Sequence, residues 1–129
     1  MTEHEPGREL DVMVHGALWP DDAIVVSDFV QSYRRTIGEH PYSETWATIP
    51  HYSTDLSAWD WTRSGWSWYT REHMSGTVAV LRLGIGSFVP VFQYGVPMEQ
   101  EPNRFRAQAF ARCLCVLQWA EVEASDAKS

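Results

Sequence analysis

Two stretches of this chain repeat apolar residues at helical spacing, and the region between them alternates at strand spacing. Between Glu9 and Trp19, Leu10, Met13, Val14, Ala17 and Leu18 stand at i, i+3, i+4, i+7 and i+8, the period of one helix face. Pro20 and the Asp21–Asp22 pair end that helix. Ala23 to Val26 reads as a strand, and the residues after it, up to Arg35, fit either a strand or a helix. Thr36 to His51 has no sustained period and is rich in Gly, Pro, Ser and His, so a long connection is expected there. A short second helix is expected from Leu56 toward Gly65, with Leu56, Trp59 and Arg63 on one side and Gly65 as its stop. Ser53 or Thr54 would accept from its exposed amides, and Asp55 would sit in its first turn.

Three β-branched or aromatic runs follow, WSWYTRE, TVAVLRLG and VPVFQYG, separated by His-Met-Ser-Gly and Gly-Ile-Gly-Ser turns, and they read as an antiparallel meander. In the middle run Ala79, Leu81 and Leu83 have a better claim to the core face than Val78, Val80 and Arg82. Trp66 and Trp68 would share one face, leaving Tyr69 on the other. The last element, Glu101 to Glu121, is an amphipathic helix opened by Pro102 and capped by Asn103. Its core stripe would be Phe110, Cys113, Leu114, Leu117 and Ala120. The order predicts an α+β fold: an antiparallel sheet of three or four strands packed between helices in an α-β-α layered sandwich, with a long C-terminal amphipathic helix. At 129 residues and 44% hydrophobic content, one domain spanning 1–129 is expected, ordered from about 8 to 122 with frayed termini.

Opposite the apolar stripe of the last helix, Arg104, Gln108 and Arg112 follow at i, i+4 and i+8. At about 1.5 Å rise per residue the two arginines stand roughly 12 Å apart along the axis. That spacing suits a ligand with two separated anionic groups, and the competing reading is a solvated face. The net charge of −7 opposes binding to a nucleic-acid polymer and leaves room for a small anion in a local basic pocket. Seven tryptophans supply flat apolar area suited to stacking on a base or to packing in a core or a dimer, and Trp59 and Trp66 are taken as the stacking candidates.

Other arrangements carry less chemistry. Cys113 and Cys115 point to different faces of a helix, so they can neither bridge each other nor, with scattered histidines, form a metal signature; Cys113 is expected in the core and Cys115 near the polar face. Ser53, His51 and Asp55 are too close in sequence to act as a hydrolytic triad. The paired carboxylates Glu121 and Glu123, and likewise Asp21 and Asp22, are expected to be solvated, and Gly84-Ile85-Gly86 lies between strands and is a turn. No metal, cofactor or catalytic residue is expected. The acidic start is unlike a signal peptide and no apolar run reaches membrane-spanning length, so a cytoplasmic protein is expected.

Three blocks, ELDVMVHGALW, IPHYSTDLSAW and RAQAFARCLCVL, resemble in order and spacing the phage ABA-sandwich domain proteins and the related NinX-like phage proteins, over about a third of the chain. The resemblance implies an α-β-α layered fold and kinship with phage sponge proteins that bind a cyclic ADP-ribose-type immune messenger without cleaving it. Carried over residue by residue, it implicates Arg112 and, more loosely, Tyr52, Thr54 and Asp55. The tryptophan excess and Cys113-Leu114-Cys115 depart from that pattern. The resulting expectation is a non-enzymatic, homo-oligomeric phage or prophage protein that sequesters a small anionic nucleotide, with Arg112, Arg104 and Gln108 on the ligand. The alternative is an adaptor or inhibitor that binds a host protein through a Trp-rich acidic surface.

Overall fold

The computed structural model describes residues 4–35, 46–60, 63, 65–84 and 88–127. Helix α1 (Arg8–Leu18) is followed by strands β1 (Ala23–Val26), β2 (Gln31–Arg34) and β3 (Ala47–Thr48). After one 3-10 turn (Leu56–Trp59) come β4 (Trp66–His73), β5 (Gly76–Leu83), β6 (Val91–Pro97) and helix α2 (Arg104–Ala127). The class is α+β, with two antiparallel three-stranded sheets ordered β1-β2-β3 and β4-β5-β6.

The predicted meander is present with β5 at its centre, Leu81 pairing with Trp68 on one side and Phe92 on the other. Ala79 and Leu81 are buried as the alternation required, and Val80, on the opposite face, is buried as well. The β4–β5 hairpin is closed tightly at Gly76: a Cβ there would lie 2.4 Å from the Val96 carbonyl oxygen of β6. The stretch after Val26 resolves into a strand. Ser27 bridges to Val30 through side-chain and backbone hydrogen bonds, and the chain turns back as β2, placing Ile24 opposite Tyr33. β3 falls inside the stretch read as a connection, of which 36–45 lie outside the described residues, as does the Gly-Ile-Gly-Ser turn apart from Gly84.

The second helix is shorter than its sequence suggests and capped differently. Its single 3-10 turn is capped by Asp55, whose carboxylate accepts from the Ser57 N–H. Ser53 binds elsewhere: its hydroxyl accepts from the Gly7 N–H and donates to the Gly7 carbonyl, tying this segment to the start of α1. Gly65, expected to stop the helix, instead sits with φ +85° in the turn leading into β4.

Helix α1 also departs from its predicted stripe. Leu10, Val14 and Leu18 are buried, but so are Asp11 and His15, while Met13 is exposed. The polar pair turns inward because each finds partners. Asp11 accepts from the Ser53 N–H and from Arg8, whose guanidinium also donates to Gln31 and the Ile49 carbonyl.

Helix α2 begins where Asn103 accepts from the amides of Phe105 and Arg106, as expected of the cap, and runs beyond the predicted end to Ala127. It packs on β5 and β6 on one side and on α1 on another, so Ala107, Ala109, Phe110, Ala111 and Cys113 to Val116 are all buried. Leu117 and Ala120 are only partly covered. Cys115, expected near the polar face, is buried against the sheet and directs its thiol at the Ala79 and Phe92 carbonyls. Beyond α1 lies the smaller sheet, with Ile24 and Tyr33 against the core. Among the described residues no helix is long and apolar enough to cross a membrane.

Gly76→Ala should lower stability by about 1–3 kcal/mol, because backbone rather than a yielding side chain fills the space. The shift is read from the urea midpoint at unchanged m-value.

Candidate functional site

Between Ala107 and Val116 only Gln108 and Arg112 are not buried, and with Arg104 and Trp119, each partly covered, they form a lateral strip of α2. The strip faces β4, an edge strand of its sheet. Strand alternation puts Trp66, Trp68, Thr70 and Glu72 on one face of β4, and the two elements meet in antiparallel order. Gln108 donates from Nε2 to Glu72 Oε1 at 3.0 Å. The Arg112 guanidinium carbon lies 5.1 Å from the centre of a Trp68 ring. Trp119 meets Trp66 edge-on at 5.0 Å.

Three buried donors here have no hydrogen-bond partner: Trp68 Nε1, Arg104 Nη1 and Arg112 Nε. Neither Arg104 nor Arg112 forms an ion pair among the described residues. In a chain with 17 acidic residues against 10 basic ones, two partly covered guanidinium groups without a carboxylate run against the composition. Burial pushes the Arg112 guanidinium below its ordinary pKa, which records the cost of taking that charge out of water without a counter-charge.

The indoles form a packed ladder. Trp59 contacts Trp68 at 5.4 Å, and Trp68 contacts Trp66 at 6.2 Å, both at steep angles. Arg63 lies over Trp19, Trp66 and Trp119 and donates to the Leu18 carbonyl, capping the end of α1. Trp59 is buried and donates to the Tyr52 carbonyl at 2.9 Å. Guanidinium groups therefore lie over the rings of Trp66 and Trp68, and neither indole stands as an open stacking platform.

The structure thus brings together Arg104, Gln108 and Arg112, sets Trp66 at the far end of the strip, and places Trp59 behind Trp68. It does not bring Tyr52, Thr54 or Asp55 to them. Tyr52 is buried two rings away, 5.4 Å from Trp59, Asp55 is exposed and occupied with capping, and Thr54 lies beside it in the chain. Trp68, Glu72, Arg63 and Trp119 belong to the region and were not singled out for it. The shared face of Trp66 and Trp68 was a usable signal, while the meeting of β4 with α2 is tertiary and has no local mark.

Tyr52 belongs to a separate buried network. Its hydroxyl meets His15 Nδ1 at 3.0 Å, His15 Nε2 meets Asp22 Oδ2 at 2.8 Å, and Arg35 grips Asp22 through two hydrogen bonds of 2.9 Å, so the Asp22 carboxylate, expected in solvent, is drawn inward by these partners. Tyr33 lies 4.3 Å from the His15 ring centre. Burial outweighs the Asp22 hydrogen bond and lowers the His15 pKa, so the neutral ring donates from Nε2 and accepts from Tyr52. Burial pushes the Tyr52 hydroxyl up to about 12. Burial alone would raise Asp22, but hydrogen bonds from Arg35 and His15 outweigh it and hold the carboxyl below its usual range.

Among the described residues no group of three or more His, Cys, Asp or Glu side chains could hold a metal ion. Burial raises the Cys115 thiol to about 12 and the Cys113 thiol well above its ordinary value, so neither is a ready thiolate.

Because His15 is harder to protonate folded than unfolded, its contribution to stability is intact above the unfolded pKa of about 6.5 and falls as pH drops below it. Asp22, with its lowered pKa, adds a second loss below about pH 3.9. Urea midpoints taken between pH 7.5 and 5 should decline for the native chain, and His15→Gln should flatten that decline.

No protein-family model matches the chain, and neither the curated proteins nor the solved structures include a match to it.

Proposed function

We propose that the protein binds a small anionic ligand in the strip between α2 and β4 and holds it without transforming it. The observation that carries this reading is the pair of partly covered guanidinium groups, Arg104 and Arg112, that meet no carboxylate and leave buried N–H donors unsatisfied. An anionic oxygen at each would supply the missing acceptor and the missing charge together. Donors fixed along one helix, beside a carboxylate, Glu72, that is held by the Gln108 amide, suit retention of a ligand better than its cleavage.

A cyclic nucleotide-type immune messenger, the ligand class implied by the resemblance to phage proteins, meets the requirement for anionic groups. Its stacking partner is less well provided for, since Trp66 and Trp68 already lie under guanidinium groups. The support is therefore stronger for phosphate recognition than for base recognition. Binding to a host protein through exposed indoles has less behind it, because Trp46, at 41%, is the most exposed of the described tryptophans. One group of exposed apolar side chains comprises Met13, Val25, Val26, Phe29 and Val30, of which Met13 and Val26 line a groove of about 470 Å³ between α1 and the β1–β2 hairpin. The homo-oligomer expected from the sequence would use that patch.

A charge-assisted hydrogen bond contributes about 1.5–3 kcal/mol. Arg112→Ala should therefore weaken binding of inorganic pyrophosphate and of cyclic ADP-ribose isomers by about tenfold or more. Calorimetry and the emission of the adjacent Trp68 report it. If neither ligand binds tighter than about millimolar, the sequestration reading is wrong.

A further inference from the structure

Glu72 is the one acidic side chain on the face of β4 that meets the strip, and it sits level with Gln108, midway between the two arginines. It forms no ion pair among the described residues, and the partner it has is the neutral Gln108 amide. A stray surface carboxylate beside two unpaired arginines would be expected to swing onto one of them. Here the amide holds it in the middle, so the strip runs positive, negative, positive over the roughly 12 Å that eight residues span at about 1.5 Å each.

Resting on the anion-binding reading, we infer that Glu72 sets the ligand class: a molecule with two anionic groups flanking a hydrogen-bond donor, an ammonium or a hydroxyl, that meets the carboxylate at its centre. A ligand of anionic ends and a plain hydrocarbon middle would strip water from Glu72 and return nothing. One with a third anionic group at its centre would meet direct repulsion. Specificity then comes from the unfavourable contact as much as from the two favourable ones. Thr70, between Glu72 and Trp68 on the same face of β4, adds a hydroxyl that can serve either partner.

The test compares two probes on the full chain by calorimetry at low salt. One is a linear α,ω-dicarboxylate spanning about 12 Å, matched to the helical rise, and the other is its analogue with a secondary amine at the midpoint. The native protein should bind the amine analogue at least about tenfold more tightly. Glu72→Gln keeps the shape and the amide contact but removes the charge, so the preference should shrink to about twofold or less, chiefly because the plain dicarboxylate binds better. Arg112→Ala should weaken both probes. Equal affinities in the native chain, or a preference that survives Glu72→Gln, would overturn the assignment of Glu72 while leaving an Arg112-dependent anion site standing. Failure of both probes, with no anion sensitive to Arg112→Ala, would remove the anion site and this inference with it.

Discussion

Everything in this fold is arranged around a helix that is covered on two sides at once. From Ala107 to Val116 helix α2 lies between the β4-β5-β6 sheet and α1, and most of its residues are buried. Small side chains make the double contact possible: Ala107, Ala109, Ala111, Cys113 and Cys115 let sheet and helix approach from different directions, and Phe110 and Leu114 fill the space that remains. A helix so enclosed has one narrow strip left for long polar residues. Arg104, Gln108 and Arg112 occupy it, and the edge strand β4 lies alongside, so their positions follow from packing on the other faces. This gives the charge pattern of the site a structural origin independent of any ligand.

The other half of the molecule is held by a different kind of force. Around α1 the joints are polar: Arg8 ties the helix to β2 and to the Ile49 carbonyl, Ser53 and Asp11 lock the segment before the 3-10 turn, and His15, Tyr52, Asp22 and Arg35 form a satisfied chain beneath the small sheet. Their partners are accounted for, in contrast to the donors left over beside β4. Polar groups that are buried are normally satisfied, so each exception calls for an explanation. The contrast between these two regions of one small protein is what singles out the α2–β4 strip.

The sequence made some of this legible and concealed the rest for identifiable reasons. Periodicity located α1, the meander and α2, because each has a sustained apolar repeat. It also placed Arg104, Gln108 and Arg112 on one line, since that depends only on helical geometry. It misjudged α1, where Asp11 and His15 face inward and Met13 faces out, because buried polar residues with distant partners look like surface ones. The short strands β2 and β3 are obscure for want of length, and the 3-10 turn resembles the start of a short helix because a run of capping residues, Ser53, Thr54 and Asp55, precedes it, of which Asp55 is the cap. Glu72 and Trp68 could be placed on one strand face but not against α2. That docking is set by how the helix sits on β5 and β6, which no local pattern records.

The central claim is that Arg112 is held partly desolvated with no counter-charge until an anion arrives. A charge already paired in the native state is costly to remove, whereas an uncompensated one can be replaced by an apolar side chain of similar shape at little cost or with a gain. The direct measurement is the unfolding free energy of Arg112→Met beside the native chain, in low-salt buffer without multivalent anions. The account predicts a variant at least as stable as the native protein. A loss of more than about 2 kcal/mol, in the range that breaking a buried pair approaches, would contradict it by showing that the guanidinium is already satisfied.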